Sequence, residues 1–217
     1  MTNMEKLKRD ALRLALWYIL VMIISFAAGY MVGPAYPVRP MVSVAIISNM
    51  TFVIYYSFWI MFLKDFRELY ESNESMPQGL RSGFIRNGLL AALFITVAIA
   101  ILYLTILPDN AVVSDISVSD VSKLHIIERI DKTVTAFAIV LTACAYFMFS
   151  KMTGKNSFMH ILTVILGVLT IVYVAFVVFY KSMDDIFSLI LIVVEYVMQF
   201  IFFWKIHKGY EFPSPHE

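Results

Sequence analysis

Runs of apolar residues long enough to cross a bilayer constrain this chain more than any other feature. A hydrocarbon core about 30 Å thick is spanned by about 20 apolar residues in a helix. Such runs lie at about 12–32, 41–63, 84–107, 133–149, 158–180 and 186–204. No water reaches a bilayer core to satisfy backbone N–H and C=O groups, so each run must bond its own backbone as a helix. The expectation is an all-α integral membrane protein: a bundle of six transmembrane helices forming one polytopic domain over 1–217. Composition agrees. Of 217 residues, 60% are hydrophobic and 15% charged, whereas a soluble domain carries about 25% charged. The mean hydropathy is +0.79.

The last run is the unusual one. Lys181–Trp204 reads KSMDDIFSLILIVVEYVMQFIFFW, with Glu195 in its middle. Successive helical residues advance by roughly 100°, so Asp184, Ser188, Glu195 and Gln199 form one stripe. Leu189, Ile190, Val193, Val197, Phe200 and Ile201 cover the rest of the surface. A carboxyl at membrane depth is costly, and such groups face a protein interior or water. Two main readings follow, with a ligand contact as a third. In the first, Glu195 makes a packing contact, hydrogen-bonded to a Thr, Tyr or Asn of the next helix. In the second, it belongs to a proton or ion path.

Other runs carry milder signals. Asp131, Thr135 and Thr142 share one face of the fourth span, with Tyr146 a turn further on. Asn49 stands away from the ends of the second span and is expected to find an interhelical partner. Ser25, Gly29 and Gly33 in the first span stand four apart, as do Gly88, Ala92 and Thr96 in the third. Small residues at that spacing let backbones approach closely.

Between the runs, Lys64–Gly83 mixes charges at helical spacing, so the second helix is expected to continue past the apolar run before Pro77 and Gly79 stop it. Asp120 is the expected cap of a helix entering the fourth span. The tail KIHKGYEFPSPHE, with its two prolines, is expected to fray. The start, MTNMEKLKRD, leads into a full-length apolar run without a small-residue cleavage site, so it reads as a retained first span.

Basic residues set the orientation. Lys6, Lys8, Arg9, Arg13, Lys64, Arg67, Arg81, Arg86, Lys151, Lys155, Lys205 and Lys208 fall on one side of a six-span layout. Arg39, Lys123, Arg129, Lys132 and Lys181 fall on the other. The positive-inside rule then places both termini in the cytoplasm of a cell-membrane protein. Asp131 and Asp184 sit near the outer mouth, where they would attract cations.

Much is absent. The sequence has no phosphate-binding G-x-x-x-x-G-K-[ST] loop, no H-E-x-x-H and no G-x-S-x-G. The aspartates of the long third link do not match a calcium loop. Cys144 is the single cysteine and cannot form an internal disulfide. His125, His160, His207 and His216 all avoid the middle of a span; His160 and His207 read as solvated interfacial groups rather than joint ligands. Neither cofactor nor metal is expected, and the chain reads as a non-enzyme without a nucleic-acid partner. The leading function is a small proton- or cation-coupled transporter or channel. Its path would use Glu195, Ser188, Gln199, Asp184, Asp131, Thr135 and Thr142. The alternative is a non-catalytic membrane subunit, whose partners beside the lipid bilayer would be copies of itself or other membrane chains. A membrane enzyme acting on lipid or quinone is a third, weaker reading.

Overall fold

The computed structural model describes residues 2–31, 38–70, 81–106, 118–154, 157–179 and 186–213. Within these, side chains at 22, 24–31, 38–48, 104, 106, 118–122, 176–179 and 186–189 are not described. The described residues form helices α1 (Asn3–Met31), α2 (Val38–Tyr70), α3 (Ser82–Ile106), α4 (Val118–Met152), α5 (Phe158–Phe179) and α6 (Ile186–His207), with no strand among them. Four of these, α3 to α6, are long and apolar enough to cross a membrane.

Each helix packs against the next in sequence, and α6 returns to close against α1. The result is an up-and-down ring of helices. One end, here the termini end, carries the start of α1 and the finish of α6. The opposite end is called the far end.

Local chemistry fixes the helix ends. Thr2 and Glu5 form a reciprocal capping box: the Thr2 N–H donates to Glu5 Oε2 at 2.8 Å, and the Glu5 N–H to Thr2 Oγ1 at 3.2 Å. These bonds satisfy donors that have no partner inside the helix. Ser157 caps α5 by accepting from the His160 N–H at 3.1 Å. The finish of α6 is a Schellman turn. Gly209 takes a φ of 106°, the Gly209 N–H donates to Ile206 O at 3.1 Å, and the Tyr210 N–H to Lys205 O at 3.0 Å.

Several expectations change here. The first helix begins at Asn3, well before the apolar run at 12, and α2 continues to Tyr70 as its charge spacing suggests. Asp120 is not the cap of α4, because that helix already begins at Val118. The start of the tail does not fray. The turn at Gly209 sends Phe212 back against Phe66 and Phe149, where it is buried. Burial of a large apolar ring outweighs the disorder that two prolines suggest.

The ring is filled differently at its two ends. Toward the termini end, Trp59, Phe62, Phe66, Phe149, Phe203 and Phe212 pack edge-to-face and offset around the axis, for example Phe62 on Phe203 at 5.2 Å and Phe66 on Phe149 at 5.0 Å. Such pairs each contribute about 0.5–1.5 kcal/mol beyond the area they bury. Past this plug, at the termini-end rim, Asp10 accepts from Arg13 at 2.8 Å and lies 3.6 Å from Arg9. Asp65 of α2 is buried close by. That burial, then the Asp10 and Glu68 carboxylates, push its carboxyl above the usual range, while Lys6 and Lys64 pull it back.

Outward faces are apolar. Leu16, Ile23, Phe94, Ile101, Phe137 and Ile171 are all exposed, as a lipid-facing belt requires. The spacing of small residues on α3 also has a visible cause. A Cβ at Gly88 would stand 2.5 Å from Leu141 Cδ1 of α4, inside contact distance. Ala92, buried one turn on, and Thr96, whose hydroxyl returns to Ala92 O at 2.9 Å, continue the same face. Gly88→Val should therefore lower the thermal unfolding midpoint in detergent, at a cost of about 1–3 kcal/mol for overpacking. Trimming the opposing side chain in a Gly88→Val/Leu141→Ala double variant should recover part of the loss. An unchanged midpoint in the single variant would mean α3 and α4 do not pack as described.

Candidate functional site

The inner faces of α6 and α5 hold the carboxyl that the sequence singles out. Glu195 is 4% exposed, and Gln199 one turn later is 2% exposed. On the opposite surface of the same helix Ile190, Val194 and Val197 are exposed. The polar stripe thus points into the ring and the apolar residues point out, because lipid offers a carboxyl no hydrogen bond. The Thr170 hydroxyl of α5 donates to Glu195 Oε1 at 2.8 Å, and Gln199 Nε2 donates to the same oxygen at 3.0 Å. Of the other two stripe positions, Asp184 and the side chain of Ser188 lie outside the described residues.

About one turn toward the termini end lies a layer of hydroxyl groups. The Tyr18 hydroxyl of α1 donates to the Tyr55 hydroxyl of α2 at 3.1 Å and lies 3.4 Å from the Tyr146 hydroxyl of α4. Trp59 Nε1 donates to the Tyr18 oxygen at 3.2 Å. Helices remote in sequence therefore meet at one phenolic oxygen. Tyr55 neighbours Thr142, and Tyr146 neighbours Gln199, which links this layer to Glu195. Thr142 itself is buried and returns its hydroxyl to Ala138 O at 3.1 Å.

Toward the far end, α2 and α4 carry the rest of the polar interior. Asn49 is 2% exposed and its amide stands beside the Asp131 carboxyl. The two are hydrogen-bond neighbours in a loose contact: Asn49 Nδ2 and Asp131 Oδ1 are both buried without a closely aligned partner. The Tyr56 hydroxyl is in the same condition, although it neighbours Thr135 and Asp131. Gln199 Oε1 is a further buried acceptor without a partner. Buried polar groups are ordinarily bonded, so this grouping along one interior is unusual.

The expected partner of Asn49 is thus found on α4, in the Asp131 carboxyl. Of the proposed path residues, Glu195, Gln199, Asp131, Thr135 and Thr142 all lie in this interior. Of the proposed packing residues, Gly88 faces Leu141 of α4 and Ala92 and Thr96 are buried on α3, while Gly33, the side chain of Ser25 and the surroundings of Gly29 lie outside the described residues. His160 Nδ1 lies 2.8 Å from Ser150 O and 3.3 Å from Thr153 Oγ1, and His207 Nδ1 lies 3.1 Å from Lys8 O. Neither is simply solvated as expected: both are half-buried, His160 bonded to the end of α4 and His207 to the start of α1. Among the described residues no group of three or more His, Cys, Asp or Glu side chains stands close enough to hold a metal ion.

Sequence reasoning passed over Tyr18 and did not pair Thr170 with Glu195. Tyr18 lies near the start of its apolar run, where tyrosine ordinarily anchors an interface. Helix α1 begins well before that run, so the ring falls inside the bundle instead.

Removing the shared oxygen tests the layer. Tyr18→Phe keeps the ring but leaves Trp59 Nε1, Tyr55 and Tyr146 short of a partner. The expected loss is about 1–2 kcal/mol, read from thermal unfolding in detergent. Adding Trp59→Phe should cost less in that background than in the wild type, and strict additivity would show that the indole does not bond Tyr18. Comparison with known proteins gives no relative to lean on: no family model, curated protein or solved structure matches this chain.

Proposed function

We propose that this chain is a six-span cell-membrane protein, with both termini cytoplasmic, that moves protons or a small cation along the interior of its helix ring. One observation carries the reading: a series of polar groups gathered on the inner side of the helices. It runs from Asp131 and Asn49, through Tyr56, Thr135 and Tyr55, to Glu195 and Gln199. In a bundle whose outward faces are apolar, such a series is costly unless something uses it. The aromatic plug closes the termini end, so the interior is approached from the far end.

Glu195 would be the coupling group. A carboxyl can release and take up a proton, or hold a cation, and Thr170 and Gln199 keep it in one orientation. Glu195→Gln preserves shape and removes titration. In proteoliposomes the variant should fold normally and lose proton or monovalent cation flux at least tenfold. A second reading, a packing or assembly role, is favoured by the two hydrogen bonds that Glu195 already receives. Under that reading the glutamine variant keeps whatever flux the wild type shows and assembles as it does.

Orientation has its own test on a single helix. His125 and Lys151 are both exposed on α4, roughly 39 Å apart along its axis at 1.5 Å per residue. With Cys144 replaced by alanine, a cysteine at position 125 should react with an impermeant reagent from outside intact cells. A cysteine at position 151 should react only after the membrane is opened. Labelling of position 151 from outside would reverse the topology.

A further inference from the structure

Hydrogen atoms run short at one point of the tyrosine layer. A phenol has a single hydrogen to give. Tyr18 gives its own to Tyr55 at 3.1 Å and receives one from Trp59 Nε1 at 3.2 Å. The hydrogen between Tyr18 and Tyr146, whose oxygens stand 3.4 Å apart, therefore comes from Tyr146. Gln199 also borders the Tyr146 hydroxyl, and its Oε1 is a buried acceptor. Tyr146 cannot supply both. That accounts for Gln199 Oε1 standing without a partner while Nε2 of the same amide donates to Glu195 Oε1 at 3.0 Å.

An amide carries its donor and its acceptor on ends of nearly equal shape, so a half-turn of its last torsion exchanges them. As it stands, Gln199 suits a Glu195 oxygen that accepts. A proton on Glu195 Oε1 reverses this, because the carboxyl O–H then meets an N–H, donor against donor. Turning the amide removes the conflict. The new O–H donates to Gln199 Oε1, and Nε2 donates to the Tyr146 oxygen. Tyr146 keeps its hydrogen for Tyr18, and Tyr18 keeps its own for Tyr55. Thr170 goes on donating to Glu195 Oε1. Tyr55 in turn has Thr142 beside it, whose own hydrogen is committed to Ala138 O. The one covalent change is the O–H bond formed when the carboxylate takes a proton from the aqueous phase.

The titratable groups in electrostatic reach of Glu195 are Tyr55 of α2, Tyr146 of α4, Tyr173 of α5 and Tyr196 of its own helix. Tyr18 of α1 joins them through Tyr146. All are phenols, which stay neutral below about pH 10. Within this set, the carboxyl is the group that changes charge at ordinary pH.

We infer that Gln199 is a proton-dependent switch: its amide turns over when Glu195 Oε1 takes up a proton, and the turn completes a hydrogen-bond chain to Tyr146 and Tyr18. This deepens the transport reading and rests on it only in taking Glu195 as the group that titrates. The protonated carboxyl is tied through Gln199 to α4, α1 and α2. The charged carboxyl leaves that chain one bond short. Gln199 is thus a positioning residue that reports the state of Glu195 to the tyrosine layer.

Gln78 and Gln199 are the two glutamines of the chain. Glutamine isotopically labelled at its side-chain carbonyl, in a Gln78→Asn background, therefore reports Gln199 alone. Infrared difference spectra between alkaline and acid pH are recorded on the full-length protein in detergent. On acidification a protonated-carboxyl band should appear, and Glu195→Gln should abolish it. The labelled carbonyl should move to lower frequency with the same midpoint, as an acceptor gaining a strong bond does. Glu195→Gln should abolish that shift too. Tyr146→Phe, which removes the oxygen that receives the turned amide, should lose most of the carbonyl shift while the carboxyl band remains. Gel filtration confirms that each variant is folded. A Glu195 band that titrates while the labelled carbonyl stays still places the proton on the other oxygen; it overturns the switch and leaves the proton path standing. Absence of any Glu195-dependent band overturns the switch and the coupling role together. Flux is scored separately in proteoliposomes. A carbonyl that follows the carboxyl in a protein that moves no proton or cation supports the switch and removes transport.

Discussion

The bond from Thr170 to Glu195 is the contact around which the rest of the bundle has to be arranged. A carboxyl in the middle of an apolar helix has no acceptable surroundings in lipid. It must turn inward, and turning it inward fixes the rotation of α6. Once Glu195 faces α5, Gln199 follows one turn later, and Ile190, Val194 and Val197 are carried to the outer surface. The same logic rotates α2 and α4, where Asn49 and Asp131 must face each other rather than lipid. Burial of apolar surface does not choose these rotations, because lipid tails are as apolar as the core. Polar groups choose them.

The aromatic plug solves a different problem. A ring of helices leaves an axis that side chains have to fill, and Leu or Ala would leave gaps near it. Large rings fill it from several helices at once: Trp59 from α2, Phe149 from α4 and Phe203 from α6, with Phe212 of the tail closing the last space. The Tyr18 layer is the seam between this plug and the polar interior. Its rings pack as part of the plug, Tyr18 lying flat on Phe203 at 5.8 Å. Its hydroxyls face the carboxyl side.

How much of this was legible in the sequence depends on the signal each feature sends. Run length gave the helices, because twenty apolar residues have few other uses. The 100° step placed Glu195 and Gln199 on one face, and Gly88, Ala92 and Thr96 on another, since both patterns are local to one helix. Which helix lies opposite is not a local property. Thr170 looked like one of a few scattered polar atoms of α5, and nothing in its own neighbourhood marks Glu195 as its partner. Tyr146 falls on the polar stripe of the fourth span, but Tyr18 is hidden for a related reason. Its place near the start of an apolar run mimics an interfacial belt, and only the extension of α1 back to Asn3 brings it inside. Phe212 was misjudged because prolines and charges dominate the tail, while one buried ring decides its position.

The two carboxyls of the interior are held in opposite ways, and this bears on which can act. Glu195 has its bonds supplied by the protein: two donors converge on one oxygen, and both come from rigid helix positions. Asp131 has a buried oxygen, Oδ1, without a well-aligned donor among the described residues, although Asn49 and Tyr56 both neighbour the carboxyl. A group already bonded loses those bonds when it binds something else, so it responds to a ligand by exchanging partners. A group left open gains bonds outright. Asp131, Asn49 and Tyr56 lie toward the far end, and the bonded Glu195 carboxyl lies nearer the tyrosine layer. That order suits a path in which the first site captures and the second must give up Thr170 or Gln199 to receive. Were Glu195 to take up a proton or cation as proposed, the same exchange would loosen the contact that sets the rotation of α6.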